Sequence, residues 1–143
     1  MLTFDVETHL YQLLTQYDIK NRLGLTGDIY LGNDRPHDSY KEDIVLQCLE
    51  CQFSKDREPT VQERATTGVA QILVYVPDVY VYKGVQGTQY ISARYRLRFI
   101  ASEVITAIRA SWQGAKPHLM ILKQSLTPLP EIHQHVATIV VGI

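Results

Sequence analysis

The chain has 143 residues, enough for one domain with an ordinary core, and its 45% hydrophobic and 20% charged residues exclude a disordered or fibrous polymer. A formal net charge of -1 argues against a surface built throughout for nucleic acid. The total hides a division: residues 1–63 hold 12 acids against 6 bases and residues 64–143 hold 3 against 8, so an acidic and a basic face that draw two copies together head to tail are expected.

Val6, Leu10, Leu13, Leu14 and Tyr17 recur at helical spacing after a Thr3 cap and predict an N-terminal helix, ended by Asn21, Gly24 and Gly27. Asp5 and Glu7 stand where a secretory leader needs Lys or Arg, which places the chain in the cytoplasm where it is made. Asp28 to Leu31 reads as a short strand closed by Gly32-Asn33, and a polar connection runs from Asp34 to Glu42. Asp43 to Phe53, rich in Ile, Val, Leu and Cys without Gly or Pro, is the second strand. The charged stretch Ser54 to Thr67 reads as a solvated connector. Val69 to Val76 is the third strand, stopped by Pro77, with Ile72, Val74 and Val76 expected to face the core. The longest apolar-rich stretch, Val69 to Tyr82, is broken by Gln71, Pro77 and Asp78 and falls short of the ~20 residues that span a bilayer, so no membrane partner is expected.

Asp78 to Gln89 alternates Val79 and Val81 with Tyr80 and Tyr82 before two glycines, which suits a protruding β-arm or extended loop. Five of the nine tyrosines fall between 75 and 95, and Tyr supplies contact area at low entropy cost, so Tyr80 and Tyr82 are interface candidates. Ile91 to Trp112 carries two periods at once. Its first half alternates like a strand, whereas Leu97, Ile100, Ala101, Val104, Ile108 and Trp112 follow a helix, and one helix is chosen because Gly114 and Pro117 form its exit. On that helix Arg94 and Arg98 lie on one edge of the apolar stripe, Arg109 lies near them and Arg96 points away. His118 to Gln124 and His133 to Val141 read as two closing strands joined through Pro128 to Pro130. The order α-β-β-β-α-β-β lacks the alternation of a parallel doubly wound sheet; it implies an α+β domain over residues 1–143, with a single antiparallel or mixed sheet of about five strands packed by two helices.

No reactive constellation emerges. Cys48 and Cys51 are too few for a disulfide framework, and on an unbroken strand they point to opposite faces, so both are read as unreactive packing residues. His133 and His135 would share a strand face, but two ligands do not make a metal site. His37, Asp38 and Ser39 are neighbours in one loop, where they cannot aim at one another in the order a triad needs. Gly84-Val85-Gln86-Gly87 follows a strand, not the helix a nucleotide-clamping loop requires. Walker, dinucleotide, zincin and nucleophile-elbow motifs are missing from the sequence. No catalytic residue, cofactor or metal is expected, and the chain reads as a non-enzyme.

Gly27-Asp28-Ile29-Tyr30, Arg35-Pro36, Ser39 and Glu42-Asp43-Ile44-Val45 resemble the strand, Arg-Pro loop and acidic-apolar strand start of the small tail-completion and head-to-tail joining proteins of long-tailed phages and prophages. The element order resembles that fold over nearly the whole chain. The resemblance implies a virion structural protein: a ring of copies, commonly a hexamer, between the head connector and the tail tube or capping the tube. It further implies assembly in the host cytoplasm followed by residence at the head-tail junction or tail end. The competing reading is a nucleic-acid module using Arg94, Arg96, Arg98 and Arg109, favoured if residues 91–99 form a strand that puts the first three arginines on one face.

Overall fold

The computed structural model describes residues 6–53, 65–84, 87–110 and 119–142. Helix α1 spans Val6–Gln16, and its buried Val6, Leu10, Leu13 and Leu14 are the predicted stripe. The chain does not continue as one helix to Asn21. Asp18 takes a left-handed conformation (φ 59°), which a short polar side chain tolerates, and a separate helix α2, Ile19–Leu23, follows. Gly24, at φ 63°, closes it in the same region, where a Cβ would be strained.

Strands β1 (Ile29–Leu31), β2 (Asp43–Phe53) and β3 (Ala65–Pro77) come next. Strand β3 begins earlier than its apolar run, since Ala65 and Thr67 already pair with β2 across a register shift; of the expected connector, residues 54–64 lie outside the described part. A hairpin of β4 (Val79–Gly84) and β5 (Gly87–Ser92) forms a two-stranded sheet of its own. Helix α3 spans Ala93–Ala110, and the strands β6 (Met120–Leu129) and β7 (Gln134–Gly142) close the fold, joined by the 3-10 turn Pro130–Ile132. The ambiguous segment therefore divides at Ser92. Leu97, Ile100, Ala101, Val104 and Ile108 are all buried, so the helical period wins from Ala93 onward. Trp112 and the helix exit at 114–117 lie outside the described residues.

The five-stranded sheet runs β1-β2-β3-β7-β6 and is mixed: β1 is parallel to β2 and every other pair is antiparallel. The fold is α+β with one principal sheet, as the order of apolar periods implied. Ile44 and Leu46 of β2, Ile72, Val74 and Val76 of β3, and Ala137, Ile139 and Val141 of β7 form one core cluster with the apolar stripes of α1 and α3. Alternation sends Val45, Leu73 and Thr138, which are register partners, to the opposite face. A parallel neighbour cannot be reached by a tight turn. The chain therefore travels from β1 to β2 through residues 32–42, and this crossover lies against the helix-free face, where the Arg35 guanidinium stacks on the Tyr75 ring at 3.9 Å.

His9 sits on α1 among Val6, Leu10 and Leu13, and burial holds its imidazole below the ordinary value of 6.5. The unfolded chain takes up this proton first, so its contribution to stability is complete above 6.5 and is lost as pH falls through the folded value. Thermal melts from about pH 8 to about pH 5 are expected to show a loss on acidification that His9→Gln makes shallower.

Candidate functional site

Glu42 and Asp43 are adjacent, each only 1% exposed, and lie at the point where the crossover enters β2. Successive side chains leave a strand on opposite faces, so the two carboxylates enter different surroundings. Withdrawing two charges from water costs several kcal/mol each unless partners replace the lost hydration. Both sets of partners are present.

On the helix side, Arg96 Nε and Nη2 donate to Glu42 Oε2 and Oε1 at 2.7 and 3.0 Å, a two-pronged contact. Arg96 Nη2 also donates to the Leu23 carbonyl at 2.6 Å, which ties the end of α2 to α3. The Phe99 ring stands 5.9 Å from the guanidinium carbon. Arg96 therefore diverges from Arg94 and Arg98 and has a task inside the molecule.

On the other face, Asp43 Oδ2 accepts from Arg35 Nε at 2.9 Å and from Ser39 Oγ at 2.5 Å, while Oδ1 accepts from the Asp28 amide at 3.0 Å. Arg35 Nη2 reaches Gln134 Oε1 at 3.0 Å, and Gln134 Nε2 donates to the Ser39 carbonyl at 2.8 Å. The backbone is bound in as well: Thr26 Oγ1 accepts from the Glu42 amide at 2.9 Å, and the Gly27 amide donates to the Glu42 carbonyl at 3.1 Å. A Cβ on Gly27 would lie 1.8 Å from Asp43 Oδ1 and 2.6 Å from the Glu42 carbonyl oxygen, so only glycine allows this approach. Among the described residues no buried side-chain polar atom lacks a partner.

This cluster contains Gly27, Asp28, Arg35, Ser39, Glu42 and Asp43, six of the eleven residues on which the resemblance to joining proteins was drawn. Chemically it is a closed ion-pair bracket, with each carboxylate saturated by donors. Its further members Thr26, Tyr75, Gln134 and Arg96 had no local signature, because they come from four separate segments.

The other candidates are dispersed. Tyr80 and Tyr82 lie on β4, and their side chains are outside the described part of the structure. Arg94, Arg98 and Arg109 are exposed and line one groove between α3 and β6, with Tyr95, Phe99, Gln124 and Leu126. Glu42, at the end of the polar connection, is buried against Arg96 and offers no charge to a partner; Asp34 and Asp38 of that connection are exposed. His133 and His135 do not share a strand face. His133 occupies a left-handed turn position (φ 55°) ahead of β7, and His135 Nδ1 meets Asp78 Oδ1 at 2.6 Å. The Ser39 hydroxyl is directed to Asp43 and not to His37.

Cys48 is exposed, contrary to the expectation of a packing residue, and a register shift between Cys48 and Glu50 breaks the strict alternation on which the opposite-face argument relied. The side chain of Cys51 is outside the described part. Lys20 is paired with Asp28 at the surface, and this hydrogen bond raises its ammonium above the ordinary value. Among the described residues no three His, Cys, Asp or Glu side chains converge as metal ligands, and no helix is long and apolar enough to cross a membrane. In comparisons with protein-family models and with curated proteins, the chain matches none.

The bracket makes two quantitative expectations. Arg96→Ala leaves Glu42 charged, buried and unpaired and should cost about 3 to 5 kcal/mol in urea unfolding, whereas Arg96→Met combined with Glu42→Leu should recover most of that loss. Gly27→Ala should cost about 1 to 3 kcal/mol by forcing the 42–43 peptide away, readable as a lower midpoint at unchanged slope.

Proposed function

We propose that this chain is a non-enzymatic structural subunit of a phage or prophage, of the head-to-tail joining or tail-completion kind. It acts by assembling into a ring and by meeting the head connector and tail-tube proteins. It is made in the host cytoplasm and ends in the virion. The observation that carries the reading is the place of six of the eleven residues behind the resemblance: Gly27, Asp28 through its amide, Arg35, Ser39, Glu42 and Asp43 belong to one bracket, completed by Arg96, that ties the crossover and β2 to α3. A sequence pattern held inside the fold in this way supports a scaffold role.

A ring needs a heterologous interface, in which one surface of each copy meets a different surface of the next. Two features suit that need. The β4–β5 hairpin is laddered separately from the main sheet, as an arm able to reach a neighbour would be. Strand β6 is a ten-residue edge with exposed Met120 and Leu122, and an edge of that length offers unpaired backbone groups to another chain.

Native mass spectrometry and light scattering test this. Closed oligomers are expected, alone or when connector and tail-tube proteins are added, and Tyr80→Ala with Tyr82→Ala should shift the population toward monomer. A chain that stays monomeric both alone and with those partners defeats the proposal.

A further inference from the structure

The four arginines of α3 do not have one role. Arg96 is consumed by Glu42. The other three fall on one narrow stripe: at 100° per residue, Arg94, Arg98 and Arg109 lie within about 60° of one another, Arg98 about 6 Å and Arg109 about 22 Å along the axis from Arg94. The sole acid of α3, Glu103, lies about 180° from Arg94 and accepts from the Tyr17 hydroxyl at 3.3 Å. Among the described residues none forms an ion pair with the three stripe arginines. The stripe forms one wall of a groove of about 940 Å³, and β6, which carries Lys123 and no acid, forms the other. Three guanidinium groups therefore face one concave channel without a counter-charge from either wall.

The rings decide what would fill it. Tyr95 follows Arg94 and Phe99 follows Arg98, and both line the groove, 69% and 45% exposed. Exposed aromatic rings beside arginines have the composition enriched at recognition surfaces. Each turn at this end of α3 thus presents one cation and, beside it, one flat ring. Phe99 is further oriented by the Arg96 guanidinium beside it. A nucleotide has the same two-part repeat, an anionic phosphate and a flat base. An acidic peptide supplies the charge without the planar face, and a duplex keeps its base faces stacked inside.

We infer that the groove between α3 and β6 binds single-stranded nucleic acid, with Arg94, Arg98 and Arg109 on successive stretches of the phosphate backbone and Tyr95 and Phe99 stacking on bases. Guanidinium forks match phosphate oxygens, and base stacking on exposed rings is tolerant of sequence. The stripe's length suits a run of several nucleotides. The small net charge of the whole molecule is no obstacle, because among the described residues no acid lines the groove. The inference stands apart from the ring proposal, since it depends only on one copy's groove.

Fluorescence anisotropy of a labelled oligothymidylate of about 16 nucleotides tests it. Binding at low salt is expected, with log affinity falling against log salt at a slope of about -2, the value for three phosphate contacts on a single strand. Arg94→Ala, Arg98→Ala and Arg109→Ala together should lower affinity by at least about tenfold while the thermal midpoint stays unchanged, since all three are exposed. Arg109→Ala alone should reduce the slope by about 0.7. Tyr95→Ala should weaken binding at an unchanged slope, and Lys41→Ala, outside the groove lining, should have no effect. The inference is overturned by no binding at low salt, by full binding of the triple variant, by tighter binding of a duplex of equal length, or by displacement with polyglutamate as readily as with unlabelled oligothymidylate.

Discussion

Two adjacent carboxylates taken out of water at the entrance of a central strand govern this molecule. Once Glu42 and Asp43 are buried, each must find cations and other donors within reach: Arg96, which also donates to the Leu23 carbonyl, on one face, and the Asp28 amide, Arg35 and Ser39, the last two bridged by Gln134, on the other. The bracket thereby holds β1, the crossover, β2, β7, α2 and α3 in one register. Such an arrangement is poor evidence of extra stability, because apolar residues of equal volume often do as well. Its value lies in discrimination. A slip of β2 by one residue would move both acids to the wrong faces and strand two charges, so alternative packings are heavily disfavoured.

The same bracket changes the meaning of the charge division along the chain. The excess acids of the first half and the excess bases of the second do not simply form two outer faces. Glu42 and Arg96 join the two halves inside one copy, and Asp78 with His135 repeats that link between the second half's own strands. Among the exposed charges of the described residues are Asp34 and Asp38 on the crossover and the three arginines that line the groove beside β6. A subunit that works through its surfaces needs its internal charges settled first, since an unpaired buried charge would compete for every partner that approached.

Division of labour on α3 follows from helical geometry. One stripe packs the core, a second point on the circumference supplies Arg96 to the bracket, and a third stripe faces the groove. Positions 94 and 98 are one turn apart and share a direction, while position 96 between them is turned by about 200° from 94. Three arginines that look equivalent in the chain thus separate into structural and surface roles. The β4–β5 hairpin that feeds this helix comes immediately before the stripe, so an arm that contacts a neighbour and a groove that holds a strand would lie on adjoining segments of one continuous chain.

Local patterns located the strands of the main sheet and the first and last helices, because apolar periods of two and 3.6 report directly on which side of an element meets the core, but not their ends: β3 starts at Ala65 and β6 runs to Leu129, through the Pro128 expected to open the turn. The run from Ile72 to Val76 and the stripe from Leu97 to Ile108 needed nothing more. The sequence also contained all six motif residues of the bracket, but as a string, with no indication that they close on one another. Tertiary structure alone decided that closure, the parallel pairing of β1 with β2, the break at Asp18, the exposure of Cys48 beside a bulge and the split at Ser92 between strand and helix. The closure and the parallel pairing depend on contacts between separate segments of the chain. Periodicity registers the side of an element that is buried, and carries no information about which distant charge, ring or amide will be waiting there.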